Sequence, residues 1–144
     1  IDCIDDTQAK LALAIFCSAQ NTQLIMAGSA GGRLDPTRIQ VADLANVKGD
    51  KLLAKVRNQL RRDHQFPKAS NKQKSAKFNI TCVFSDEQVI KPEKPQFYEA
   101  CVLAVGQITD SITGLNCAGY GSSVCVTAPF GFTAAQLAIN LVVA

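Results

Sequence analysis

Residue types that usually carry chemistry are scarce in this chain. Its 144 residues include no tryptophan, one methionine and one histidine. A two-histidine acid–base pair is therefore excluded. The single imidazole, His64, lies beside Asp63 in a Lys/Arg-rich stretch that reads as solvated surface. No C-x-x-C occurs, and zinc sites want closely spaced ligand pairs, often with histidine, so no metal site is expected. No Ser or Cys sits in a G-x-S-x-G turn. Gly119-Tyr120-Gly121-Ser122-Ser123 is glycine-rich but lacks the lysine of a phosphate-binding loop and precedes an expected strand, so it reads as a tight turn. Asp5-Asp6, Asp43 and Asp110 form no spaced carboxylate pair. These absences argue for a non-enzymatic protein without a cofactor.

Long apolar runs are also missing. Leu11–Cys17 has seven residues and Leu141–Ala144 is shorter, too little for a bilayer span or a signal-peptide layout. Charged residues make up 19% and hydrophobic residues 47%, a globular balance far from that of disorder. The length fits one domain, residues 1–144.

What the sequence does contain is six cysteines spread over nearly its whole length: Cys3, Cys17, Cys82, Cys101, Cys117 and Cys125. An even number without metal-type spacing favours three disulfides over six buried thiols, and hence an oxidising compartment. Asn79-Ile80-Thr81 is an N-glycosylation sequon, and Ile1 in place of Met fits a trimmed, mature secreted form.

Along the chain, Leu11, Leu13, Ile15 and Cys17 alternate with Ala12, Ala14 and Phe16, and Leu24-Ile25-Met26 follows a polar turn, so residues 9–30 read as a β-hairpin. Gly28–Gly32 is a loop. Asp35-Pro36 looks like a cap and first helical position for a short helix or turn reaching about Asn46. Asp50 is a second cap, and Leu52, Leu53, Val56 and Leu60 fall at helical spacing over 51–62. Residues 63–77 read as a basic loop and Phe78–Phe84 as a strand. Phe97, Cys101, Val105, Ile108 and Ile112 make an apolar seam for a helix over 96–113, with Gly114 as its C-cap. Val124–Thr127 reads as a strand. Ala134–Val143 reads as a second strand or a short helix, with Leu137, Ile139, Leu141 and Val143 favouring the strand. The expected architecture is α+β: a disulfide-stapled antiparallel sheet with two amphipathic helices on one face, an α/β-sandwich.

Charge is uneven. Between positions 48 and 77 ten Lys/Arg stand against two Asp, a local balance of +8 in a chain of +3. The ten are Lys48, Lys51, Lys55, Arg57, Arg61, Arg62, Lys68, Lys72, Lys74 and Lys77. Such a patch either keeps a helix face solvated or steers the protein to an anionic lipid or acidic cell-surface partner. Phe66 and Phe78 are its only aromatics, which argues against nucleic acid. Arg61-Arg62 is read as helix surface, with a dibasic processing site as the other option.

The second half of the chain resembles the killer-toxin family of fungi typified by the calcium-channel-blocking toxin of corn smut. The resemblance rests on the strand Cys82-Val83-Phe84, a helix ending near Gly114, the Cys117/Cys125 pair with Pro129, and Leu137, Asn140 and Val142 in a closing strand Gln136–Val142. Secreted fungal effectors share this order. The resemblance implies an extracellular virulence factor or toxin that binds a membrane or cell-surface target, with Cys3 tied to Cys117. The alternatives are a secreted hydrolase or ribonuclease using His64 and an adhesive extracellular protein.

Overall fold

The computed structural model describes residues 1–68, 76–90 and 121–143. The order of elements is α1 (Thr7–Ala19), β1 (Leu24–Ala27), a 3-10 turn (Pro36–Arg38), β2 (Ile39–Asp43), a second 3-10 turn (Leu44–Asn46), α2 (Lys51–Asp63), β3 (Ile80–Ser85) and α3 (Val124–Val143). The helix expected over 96–113 and its Gly114 cap lie outside the described residues.

The N-terminal hairpin is replaced by a helix. Asp6 caps α1 by accepting from Ala9 N at 2.7 Å, and alanine-rich sequence pays little entropy in a helix. The alternation of leucine with alanine carries no strand information when alanine packs equally well on either face. Thr7, Lys10, Leu11 and Ala14 form the buried stripe. Asn21 ends the helix in the left-handed region at φ 51°. Thr22 N donates to the Cys17 carbonyl and Asn21 N to that of Ser18, which closes the last turn. The strand expected at Leu24–Met26 is present as β1.

Asp35 and Pro36 do start a turn, but only three residues long, and β2 follows within the span where a short helix or turn reaching about Asn46 was expected. Asp50 caps α2 through Leu53 N at 2.9 Å, as its position suggested. Leu53, Val56 and Leu60 are fully buried on the inner side of α2.

The three strands lie in the order β1-β3-β2. β1 runs parallel to β3 from Leu24↔Ile80 to Ala27↔Val83. β2 runs antiparallel to β3 from Ile39↔Ser85 to Asp43↔Thr81. The sheet is therefore mixed, not antiparallel. Alternate residues of the strands face opposite layers. Leu24 and Met26 join Ile80, Cys82 and Phe84 in the core beneath α1 and α2. Ile25, Ala27 and Val83 face Val126, Phe130 and Ala134 of α3 on the other side. Helices thus cover both faces of the sheet, not one.

The strand expected at Val124–Thr127 and the strand or short helix expected at Ala134–Val143 form the single helix α3, begun by Ser123, whose carbonyl accepts from Val126 N and Thr127 N at 3.0 Å. In a segment apolar nearly all round, every periodicity finds matches, so alternation decides nothing. By length and composition α3 could cross a bilayer. Its Val126, Phe130 and Ala134, at steps of four, seat it on the sheet instead.

No disulfide forms among the described residues: Cys3, Cys17, Cys82 and Cys125 are free thiols. Cys101 and Cys117 lie outside those residues. Cys82 is a core residue whose burial pushes its thiol far above the ordinary range, so it packs as a small hydrophobe.

Candidate functional site

Three chain segments that run parallel through the sheet layer release their ends on one side. Asp2 pairs in parallel with Met26 of β1, its N–H donating to the Ile25 carbonyl at 2.8 Å and its carbonyl accepting from Ala27 N. The residues after Asp2, after β1 and after β3 then converge on an open cleft of about 600 Å³. Asp5 and Thr7 line it from the start of α1, Ser29, Gly31 and Arg33 from the glycine loop, and Gln88 and Val89 from beyond β3. Gly49, Lys51, Leu52 and Lys55 complete it from the head of α2. Crevices at the carboxyl ends of parallel strands are where open α/β sheets place ligands.

The floor of the cleft is held by one buried carboxylate. Asp50 Oδ2 accepts from Ser29 N at 2.9 Å and from Arg33 Nη1 at 3.1 Å, while Oδ1 caps α2. Arg33 also donates to the carbonyls of Ser29 and Gly49. Both side chains of the Arg33–Asp50 pair are at most 1% exposed. Arg33 Nε is buried without an acceptor. A carboxylate this crowded dictates glycine opposite: a Cβ on Gly28 would lie 2.4 Å from Asp50 Oδ2. Gly49, at φ 81°, would set a Cβ 2.8 Å from the Asp86 backbone. A second buried pair, Lys10–Asp2 at 2.9 Å, fixes α1 to the Asp2 segment. Around the rim, Glu87 accepts from Leu34 N and Asp35 N at 3.0 Å. Hydrogen bonds, first from Arg38 and also from Gln40, hold the Asp86 carboxyl below the usual carboxylate range.

The sequence-based candidates divide sharply. Lys51 and Lys55 line the cleft. Arg57 turns inward to the Val47 carbonyl, and burial lowers its pKa. Arg61 lies over the Phe78 ring, 5.3 Å from its centroid, and donates to the Pro67 and Ala45 carbonyls. Arg62 pairs with Asp63 at 2.7 Å. Lys48, Lys68 and Lys77 are exposed, and Lys72 and Lys74 lie outside the described residues. His64 is exposed at the end of α2 and does not line the cleft. Asp43 accepts from Ala45 N and Phe78 N at 2.9 Å, a structural role. Asn79 is exposed at φ 58°, a left-handed position that asparagine tolerates. Gly119 and Tyr120 are outside the described residues, whereas the Gly121 carbonyl accepts from Gly32 N at 3.0 Å. Sequence reasoning missed Asp5, Thr7, Ser29, Arg33, Gln88 and Val89. The available signal was a glycine-rich loop directly after an apolar strand.

Helices on both faces of a partly parallel sheet, with a cationic cleft beyond its strand ends, define a layered α/β class. Comparison with known proteins narrows it. No protein-family model matches the chain. The tRNA threonylcarbamoyladenosine dehydratase of Haemophilus influenzae is 40% identical over 141 residues, 97% of this chain and 48% of the relative. That of Escherichia coli is 37% identical over 145 residues, 100% of this chain and 51% of the relative. The chain thus spans about half the length of the curated relatives it matches. Crystal structures of the E. coli enzyme in complex with AMP and with ATP superpose with TM-scores of 0.69 and 0.70 at 34% identity. They cover 95% and 96% of this chain and 45% of the solved chains.

These similarities correct the resemblance to killer toxins, and its structural basis is gone too: Gln136–Val142 is helical, and the Cys3–Cys117 tie is absent because Cys3 is a free thiol. The expectation of a secreted, extracellular toxin or effector falls with it, as do its hydrolase, ribonuclease and adhesive alternatives. The relatives are named as enzymes, against the expectation of no catalysis. They are also named for tRNA, against the argument from few aromatics. Aromatic stacking serves single-stranded bases, whereas phosphate contacts need only cations, so the absence of aromatics was a poor guide.

Proposed function

We propose that this chain is part of a tRNA threonylcarbamoyladenosine dehydratase, and that its cleft holds the phosphates of an adenine nucleotide. The observation that carries the reading is the similarity to the two bacterial dehydratases along essentially the whole chain. The cleft is chemically suited to the role. Lys51 and Lys55 neutralise phosphate charge, Ser29 and Gly31 belong to a loop whose backbone can approach a ligand closely, and the buried Arg33–Asp50 pair holds that loop against the head of α2. The unused Arg33 Nε–H is a further buried donor in a residue that lines the cleft.

The test incubates the purified protein with ATP and tRNA carrying threonylcarbamoyladenosine, then measures the nucleoside mass. Loss of one water, dependent on ATP, is the expected result. An unchanged mass together with no ATP or AMP binding by calorimetry overturns the reading. Lys51→Ala should weaken nucleotide binding by about tenfold, the loss of one charge-assisted contact.

A further inference from the structure

The outward face of α2 carries a second, shallower groove of about 440 Å³, lined by Lys51, Ala54, Lys55, Asn58, Gln59 and Arg62. Lys51 and Lys55 line both groove and cleft, so the two adjoin. Among the described residues, no carboxylate lines the groove. Resting on the function proposed above, we infer that this groove is where the RNA backbone docks, leading a substrate strand toward the cleft.

Three observations favour RNA phosphate as the occupant. First, the basic residues of α2 are sorted by face. Arg57 and Arg61 are consumed by backbone carbonyls of the chain's own loops, while Lys51, Lys55 and Arg62 are left along one strip. From Lys51 to Arg62 the strip is about 16 Å long at helical rise, room for several consecutive phosphates. Second, Arg62 is not locked. It pairs with Asp63 through both Nε and Nη2, but Asp63 is 42% exposed and Arg62 itself 69% exposed, and a pair so open to water is strongly screened. A phosphate can replace that carboxylate. Third, Gln59 Oε1 is buried without a hydrogen-bond donor. With its amide turned outward, Gln59, which lines the groove, can accept from a ribose 2′-hydroxyl, the group that distinguishes RNA from DNA.

The experiment is a salt titration of tRNA binding to the purified protein by fluorescence anisotropy, with ATP binding measured alongside. Arg62→Glu and Asn58→Glu lie in the groove but not the cleft. Each should weaken tRNA binding roughly tenfold at low salt, and Arg62→Glu should reduce the salt slope by about one. ATP affinity should not change. Lys77→Glu makes the same charge change as Arg62→Glu outside the groove and should have a much smaller effect. If wild-type protein binds tRNA and the groove variants bind it equally well, or if Lys77→Glu is as damaging as Arg62→Glu, the groove assignment is overturned while the dehydratase reading stands. If wild-type protein binds no tRNA at all, the groove assignment is overturned, while the dehydratase reading is decided separately by the ATP-dependent mass change and nucleotide binding.

Discussion

Helices α2 and α3 cover opposite faces of the same three strands by different means. α2 is sharply two-sided: Leu53, Val56 and Leu60 are sealed completely, and the opposite side is charged. A buried carboxylate at its head also bonds to the loop after β1. α3 buries only Val126, Phe130 and Ala134 among its twenty residues, leaving Phe132 75% and Val142 86% exposed. It has no ion pair among the described contacts, and Pro129 has no N–H to give the Cys125 carbonyl. The lesson is that α2 specifies its own position through contrast between its faces, whereas α3 is placed by the shape of the sheet.

If that contrast is right, the most damaging substitution falls at the head of α2. Asp50→Ala should cost about 3–5 kcal/mol, because it strands Arg33 as a buried charge and removes a cap at the same time. Denaturant unfolding measures it; a loss below about 1 kcal/mol would mean that the Asp50 links do not hold α2. Packing comes next. Leu53→Ala and Phe130→Ala should each cost about 3 kcal/mol, whereas Phe132→Ser should stay within about 0.5 kcal/mol. A large loss at Phe132 would show that α3 is seated by a different face. The smallest effect is electrostatic. Asp86 is held below the usual carboxylate range by Arg38, so its contribution is present above that ordinary range and is lost as pH falls through the lower folded value. The stability gap between wild type and Asp86→Asn, measured from pH 6 downward, should hold near neutrality and shrink below that point. A gap that widened with acid would contradict the assigned pair.

The same contrast explains what the sequence made legible. Asp50 followed by Leu53, Val56 and Leu60 states a cap and a stripe, and α2 matches the expected range within one residue. Asp35-Pro36 states a turn start for similar local reasons. In α1 and α3 alanine and general apolarity fit both periods, so alternation does not separate strand from helix. The parallel pairing of Leu24 with Ile80 depends on residues far apart in the chain and leaves no local mark. The cleft has the same origin: its lining comes from four separate segments, and Arg33 gains meaning only once Asp50 is beside it. Evenly scattered cysteines suggested bridges, yet Cys82 serves the core as a small apolar side chain.

The strand order β1-β3-β2 also sets a timetable for the ribosome. β1 and β2 are made first but share no edge, and each waits for the strand between them. At about 5–20 residues per second, the interval between Asp43 and Ile80 lasts about two to eight seconds. During it α1 and α2 can form and begin to pair, while two unpaired strand edges stay open to chaperones or to a neighbouring nascent chain. Slowing translation between those positions would lengthen that exposure, so the yield of soluble protein becomes sensitive to codon choice there.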